Sequence, residues 1–94
     1  MYKELDPLLH SQLRLAIMSI LISLKEAEFA FLKEKTQSSS GNLSVQINKL
    51  ADAGYIQVDK SFRDNYPLTK CKVTSKGIKA FEVYVESLKK YIGE

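Results

Sequence analysis

The segment from residue 40 to residue 55, SGNLSVQINKLADAGY, constrains the fold of this chain most strongly. Leu43, Ile47 and Leu50 recur at helical spacing, which predicts a helix with one apolar edge turned toward a core. The opposite edge carries small, amide and apolar side chains rather than a lattice of salt bridges, namely Gly41, Asn42, Val45, Asn48 and Lys49, with Gln46 on the flank. A face of this composition is suited to contacting another molecule.

Capping signals bound this helix on both sides. Ser39 or Ser40 can accept a hydrogen bond from the first turn through its side-chain oxygen. Gly54 can adopt the left-handed backbone that ends a helix, and the alternating run 55–59 follows it. The sequence therefore predicts a helix, a glycine and a strand in immediate succession.

An earlier helix is predicted to end at Leu24. It begins either at Asp6, with Pro7 in the first helical position, or one turn later with Ser11 as the cap. Its apolar residues are Leu9, Leu13, Ala16, Ile17, Ile20, Leu21 and Leu24. They cover so much of the helix that one face must meet the core and part of another is free to meet a partner subunit, although burial in the core alone is the favoured alternative.

A short second helix lies between these two. It follows a charged break at residues 25–28, is marked by Phe29 and Leu32 with Phe31 as a further candidate, and ends near Thr36. A polar turn, residues 37–39, then joins it to the helix that begins near residue 40. Two helices joined in this way predict a helix-turn-helix arrangement, in which the second helix enters the major groove of DNA.

Two alternating segments, 55–59 and 70–74, predict a β-hairpin. The ten residues between them are too many for a tight turn and predict a long tip. Because the tip contains Lys60 and Arg63, it can act as a wing on a phosphate backbone or in a minor groove. Three of its residues are expected to pack on the sheet: Phe62, Tyr66 and Pro67.

The final segment predicts a helix over residues 75–93, capped by Thr74 and closed by Gly93. Its large apolar residues recur at intervals of three and four, over two heptads. Such a seam on a small domain favours pairing with a second copy, which makes this the predicted dimerisation helix. The predicted interface consists of Leu9, Leu13, Ile78, Phe81, Val85, Leu88 and Ile92.

Length and composition limit the alternatives. With 94 residues the chain forms one domain, 1–94, and no apolar run is long enough to span a bilayer. The N-terminus lacks the pattern of a secretion signal, so we expect a cytoplasmic protein. Residues 60–94 hold eight Lys/Arg against four Asp/Glu, which favours an acidic partner such as nucleic acid, although a solvated lysine surface is an equal alternative.

Residues suited to catalysis are few, so we predict no enzyme, no cofactor and no metal site. His10 is the single histidine and is expected to be structural or to contact a phosphate. Cys71 is the single cysteine, which excludes an internal disulfide and a thiolate cluster. A buried core thiol is favoured over a reactive redox thiol, because Val73 shares its face of the strand.

A set of short motifs extends over nearly the whole chain. They are Leu5-Asp6-Pro7-Leu8, His10-Ser11, Leu13-Arg14-Leu15-Ala16-Ile17, Phe29 and Leu32, Gly41-Asn42-Leu43-Ser44, Leu50, Ala53-Gly54-Tyr55-Ile56, Thr69, and Thr74 with Lys76-Gly77. In this order they resemble the winged helix-turn-helix transcriptional regulators, most closely the small single-domain group related to the MarR and ArsR repressors. The resemblance implies an α+β, mostly α fold with a three-helix core, a β-hairpin wing and an extra C-terminal helix.

The resemblance also implies where DNA is bound. The recognition helix would be 40–53 and the wing 60–70, with DNA contacts from Ser40, Gly41, Asn42, Ser44, Val45, Gln46, Asn48, Lys49 and Arg63. The chain departs from the group in having one arginine at the wing tip, beside an aspartate, and no arginine on the recognition helix. Asn42, Gln46 and Asn48 are therefore expected to read adenine, and Val45 a thymine methyl.

Two functions follow. The first is a homodimeric, sequence-specific regulator that binds double-stranded DNA, with recognition helices about 34 Å apart on a pseudo-palindrome. The alternative is a winged-helix protein-interaction module that does not bind DNA. The sequence leaves the operator, the direction of regulation and the existence of a small-molecule effector open.

Overall fold

The computed structural model describes residue 2 and residues 4–93 and has the predicted α+β, mostly α architecture. The fold consists of four helices and a three-stranded antiparallel sheet with strand order β1-β3-β2. In chain order the elements are α1 (Gln12–Leu24), β1 (Glu26–Glu28), α2 (Phe29–Thr36), α3 (Ser40–Asp52), β2 (Ile56–Arg63), β3 (Tyr66–Val73) and α4 (Ser75–Tyr91).

The first helix begins at the second of its two candidate caps, Ser11, whose backbone is extended. Asp6 instead organises the turn before it, where its Oδ1 accepts a hydrogen bond from the backbone N–H of Leu8 at 2.9 Å. Its Oδ2 accepts a hydrogen bond from the hydroxyl of Tyr55 at 2.6 Å. That hydrogen bond, partial burial and the charge of Asp6 together raise the pKa of Tyr55 to about 12.

The charged break after α1 contains a strand that the sequence did not predict. β1 pairs with β3, so that Glu26 lies opposite Lys72 and Glu28 opposite Lys70. Ala27 between them turns inward and is buried. Three residues with one inward side chain carry too little alternation to be recognised as a strand from sequence.

The prediction of a ten-residue hairpin tip is wrong. Both strands continue to a two-residue turn at Asp64 and Asn65, each with positive φ, 51° and 69°. Positive φ at both central positions is the geometry of the tight hairpin turn that matches the twist of paired strands. The expected packing of the three tip residues is also wrong: Phe62 and Tyr66 are each 75% exposed and Pro67 is exposed, because the hairpin extends beyond the helices.

The core lies between the helices and the inner face of the sheet. Its fully buried large side chains are those of Leu9, Ile17, Met18, Leu21, Leu32, Leu43, Leu50 and Cys71. The prediction of a core thiol at Cys71 is confirmed. Burial, with a smaller effect of the charge of Asp59, raises the pKa of this thiol to about 11, which disfavours the reactive thiolate.

The start of α4 is joined tightly to the turn after α3. The hydroxyl of Thr74 accepts a hydrogen bond from the backbone N–H of Gly77 at 3.0 Å and donates one to the carbonyl of Gly54 at 2.6 Å. The backbone N–H of Thr74 donates to the carbonyl of Tyr55 at 3.1 Å. Gly77 lies so close to Tyr55 that a Cβ there would stand 2.2 Å from the Tyr55 carbonyl oxygen. A side chain at position 77 would therefore clash with the backbone to which the Thr74 cap is bonded.

We expect Gly77→Ala to lower the free energy of unfolding by about 1–3 kcal/mol, because the methyl group forces the α4 backbone away from Tyr55. Gly41→Ala is the matched control: a Cβ at position 41 has no atom within 4 Å, so we expect a gain of up to about 1 kcal/mol from helix propensity. Urea unfolding of both variants measures the difference. Equal stability would contradict the close contact at Gly77.

Candidate nucleic-acid interface

The inward edge of α3 anchors the candidate site. Leu43 and Leu50 have no exposed surface and Ile47 is 3% exposed. The helix is capped by Ser39 rather than Ser40, since the Ser39 hydroxyl oxygen accepts a hydrogen bond from the backbone N–H of Asn42 at 3.1 Å. The buried edge fixes which way the opposite face of the helix points.

That opposite face is accessible. Seven of the eight α3 residues predicted to contact DNA are exposed: Ser40, Gly41, Asn42, Ser44, Val45, Asn48 and Lys49. Gln46, the eighth, is half-buried. Lys49 is the one charged residue in this set, so the face combines small residues, amide groups and the apolar side chain of Val45.

A hydrogen-bonded chain that the sequence did not predict links α1 to this face. Arg14 donates from Nε to the carbonyl of Leu8 and from a terminal nitrogen to Oε1 of Gln46. Nε2 of Gln46 then donates to Oδ1 of Asn42 at 3.0 Å. Both ends of the Gln46 amide are therefore engaged within the protein, and its contact with adenine stays a prediction. One feature of the sequence could have pointed to this link: Arg14 is the one charged residue in α1.

The wing cation, Arg63, is the last residue of β2, directly before the two-residue turn, and it pairs with an acidic residue of β1. A terminal nitrogen of Arg63 lies 2.8 Å from a carboxylate oxygen of Glu28, with 59% and 36% of the two side chains exposed. Lys70 pairs in the same way with Glu26 at 3.1 Å. The acidic residues of β1 thus partly neutralise the basic residues of the hairpin.

The model for the winged helix DNA-binding domain family matches residues 13–92. The chain belongs to this family. The matched range contains α2 and α3 as the helix-turn-helix, the β2–β3 hairpin as the wing and α4 as the additional helix. The resemblance to winged helix-turn-helix regulators is therefore confirmed.

The chain is also similar to individual proteins. An uncharacterised protein of Methanocaldococcus jannaschii is 36% identical over 76 residues, which cover 81% of this chain and 83% of that protein. A transcriptional regulator homologue from Pyrococcus horikoshii OT3 superposes with a TM-score of 0.85 at 28% identity, covering 92% of this chain and 85% of the other. An ArsR family transcriptional regulator shares the fold, with a TM-score of 0.61 at 16% identity and coverage of 93% and 84%.

The predicted dimer seam of this winged helix domain is partly accessible. Ile92 is 67% exposed, and five further seam residues are half-buried: Leu13, Ile78, Phe81, Val85 and Leu88. The assignment of Leu9 to the interface needs correction, because it has no exposed surface and belongs to the core. At the far end of α4 the rings of Tyr2 and Tyr91 stack with their centroids 4.7 Å apart.

His10, the single histidine, is hydrogen-bonded within the fold. Nδ1 of His10 lies 3.0 Å from the hydroxyl oxygen of Tyr84, whose ring is buried. This hydrogen bond supports a structural role for His10.

Among residues 2 and 4–93, no group of three or more acidic, histidine or cysteine side chains could hold a metal ion. Within the same residues, no helix is long and apolar enough to cross a membrane.

We expect Ser39→Ala to destabilise the fold by about 1 kcal/mol, because it removes the acceptor for the first turn of α3. Ser40→Ala is the matched control and should have little effect, since the cap at this end of the helix is the neighbouring serine. Thermal or urea unfolding of the two variants tests this. A larger loss for Ser40→Ala would contradict the assignment of the cap.

Proposed function

We propose that this winged helix domain is a homodimeric transcriptional regulator that binds specific double-stranded DNA, with α3 in the major groove and the wing on the flanking backbone or minor groove. The accessible, nearly uncharged outer face of α3, held in place by a fully buried inner edge, carries the proposal. Family membership supports it, because the matched family is one of DNA-binding domains.

The side chains of α3 suit a groove about 12 Å wide, which admits one helix. Ser40, Gly41 and Ser44 are small and exposed, so the first turns of the helix can approach base edges closely. Val45 is 49% exposed and can contact a thymine methyl group. Lys49, in the last turn, can reach a phosphate and position the helix in the groove.

The proposed dimer rests on the apolar surface at the C-terminal end of the chain. Val83, Tyr91 and Ile92 are 51%, 48% and 67% exposed in the single protomer. Exposed large apolar side chains on a domain of this size favour pairing with a second copy. A two-fold dimer would place two copies of α3 on successive turns of one DNA face.

A binding measurement distinguishes the two candidate functions. We would follow fluorescence anisotropy of a labelled random-sequence duplex pool across a salt series, with light scattering of the free protein alongside. A dimer that binds tightly at low salt, with affinity falling steeply as salt rises, is the expected result. Self-association without binding to any duplex would favour the protein-interaction module instead.

We expect Lys49→Ala to reduce the slope of log affinity against log salt by about 0.9, the contribution of one phosphate contact. Lys89→Ala is the matched control. It removes the same charge from the last turn of α4, where Lys89 pairs with Glu86, and should leave the slope unchanged. The same slope for all three proteins would contradict a phosphate contact at Lys49.

We expect Glu28→Gln to tighten DNA binding by up to about fivefold, because it releases Arg63 from an exposed ion pair worth at most about 1 kcal/mol. Glu26→Gln removes the same charge from the same strand without contacting Arg63, and serves as the control. Adding Arg63→Ala should abolish the gain. A gain that persists without the guanidinium would show that Arg63 does not contact DNA.

A further inference from the structure

The hydrogen bonds from Arg14 through Gln46 to Asn42 have a fixed direction from donor to acceptor. A guanidinium group has five N–H donors and no acceptor, so the atom of Gln46 that faces Arg14 must be the carbonyl oxygen Oε1. The amide nitrogen Nε2 is therefore turned toward Asn42. Because Nε2 can only donate, the Asn42 atom that faces it must be Oδ1. Each orientation follows from the preceding one, and the arginine determines all of them.

The arginine itself is held in place from both sides. Its Nε donates to the carbonyl of Leu8, in the turn that precedes α1, and its side chain is half-buried. The backbone N–H of Asn42 is tied to the Ser39 cap at the other end of the chain of bonds. We call the hydrogen bonds from Arg14 through Gln46 to Asn42 the relay. The relay joins the N-terminal turn, α1 and the first turns of α3 into one hydrogen-bonded unit.

The relay occupies the side-chain oxygen of Asn42 and leaves its Nδ2 amide group free. Its Oδ1 accepts from Gln46, while neither N–H of its Nδ2 has a partner among the described residues. An asparagine that can rotate freely presents either a donor or an acceptor, whereas this one turns donors outward. The edge of Asn42 that is free to meet another molecule is a pair of N–H groups on an exposed side chain.

Resting on the proposed function, we infer that Arg14, acting through Gln46, fixes Asn42 as a hydrogen-bond donor that reads guanine in the major groove. Guanine presents two adjacent acceptors there, N7 and O6, whereas adenine presents one acceptor and one donor. The two-bond contact of asparagine with adenine needs Oδ1 as an acceptor, and Oδ1 is directed to Gln46. Arg14 and Gln46 are therefore positioning residues, and Asn42 is the residue that contacts the base.

The inference replaces the expectation that Asn42 and Gln46 both read adenine. It also accounts for a reading face without arginine: the donor that a surface arginine would supply to guanine comes from Asn42. Its orientation is set by an arginine from another helix. The guanidinium stays within the fold and does not have to contact the base itself.

Gln46→Glu provides a direct test of the relay in the free protein. A carboxylate at position 46 still accepts from Arg14, but its second oxygen is an acceptor too, so Asn42 must turn its Nδ2 inward and its Oδ1 outward. In nitrogen-15 NMR spectra we expect one Nδ2 proton of Asn42 to shift downfield and to exchange more slowly than in the parent protein. An unchanged Asn42 side-chain amide signal overturns the relay.

Asn48→Asp is the matched control for the added charge. It places a new carboxylate on the same exposed face of α3, at a residue outside the relay. We expect the Asn42 amide signal of this variant to remain like that of the parent. A shift equal to that in Gln46→Glu would mean that charge alone moves the signal, and would overturn the reversal of the amide.

Selection from a randomised duplex pool tests the reading of the base. We expect the parent to prefer guanine at one position of each half-site by about 5- to 150-fold, the usual range for a good base contact. Gln46→Glu should shift that position to cytosine or adenine, which present amino donors. Asn48→Asp should weaken binding while keeping the guanine. A parent preference for adenine at this position, or guanine retained in Gln46→Glu, overturns the inference.

Two substitutions at Arg14 separate orientation from packing. Arg14→Met removes every donor while keeping a long side chain, so Asn42 can turn either way and the guanine preference should fall without reversing. Arg14→Lys still offers only donors to Gln46 and should restore the preference. Equal selectivity of Arg14→Met and the parent overturns the role of Arg14. Failure of the parent to bind any duplex overturns the proposed function and the base assignment together, whereas the NMR spectra decide the relay independently.

Discussion

Burial of one edge of α3 in the core, where the helix packs on α1 and β2, is the interaction on which the rest of the structure depends. Leu43, Ile47 and Leu50 have almost no exposed surface, and burying each such side chain contributes about 1.5–3 kcal/mol. All three side chains belong to the single cluster of buried residues that forms the core. The same burial fixes the rotation of α3 about its axis, so one set of contacts both stabilises the domain and aims its outer face.

Helical periodicity made this part of the fold predictable. The 3.6-residue repeat is visible in a single sequence, and it separated the buried edge of α3 from its exposed edge. The hairpin was harder, because a two-residue turn at Asp64 and Asn65 is a weaker signal than a turn containing glycine. Phe62 was misplaced because an apolar residue suggests burial, whereas the length of the strands carries it beyond the core.

The position of the candidate site was predictable from the sequence, but the orientation of its hydrogen-bond donors and acceptors was not. The period of α3 identifies which residues face outward, but not which end of an amide is free. Arg14 and Gln46 are 32 residues apart in sequence, and only the packing of α1 on α3 brings them together. The same limit applies to Leu9, since apolar character alone does not distinguish a core residue from an interface residue.

The buried thiol of Cys71 can report on local opening of the sheet. Its thiol is the only one in the chain and has no exposed surface, and its strand pairs with both other strands of the sheet. A thiol-labelling reagent reaches it only when β3 separates from its neighbours or from the helices above it. The labelling rate in the native state therefore measures how often the sheet opens, without any substitution in the protein.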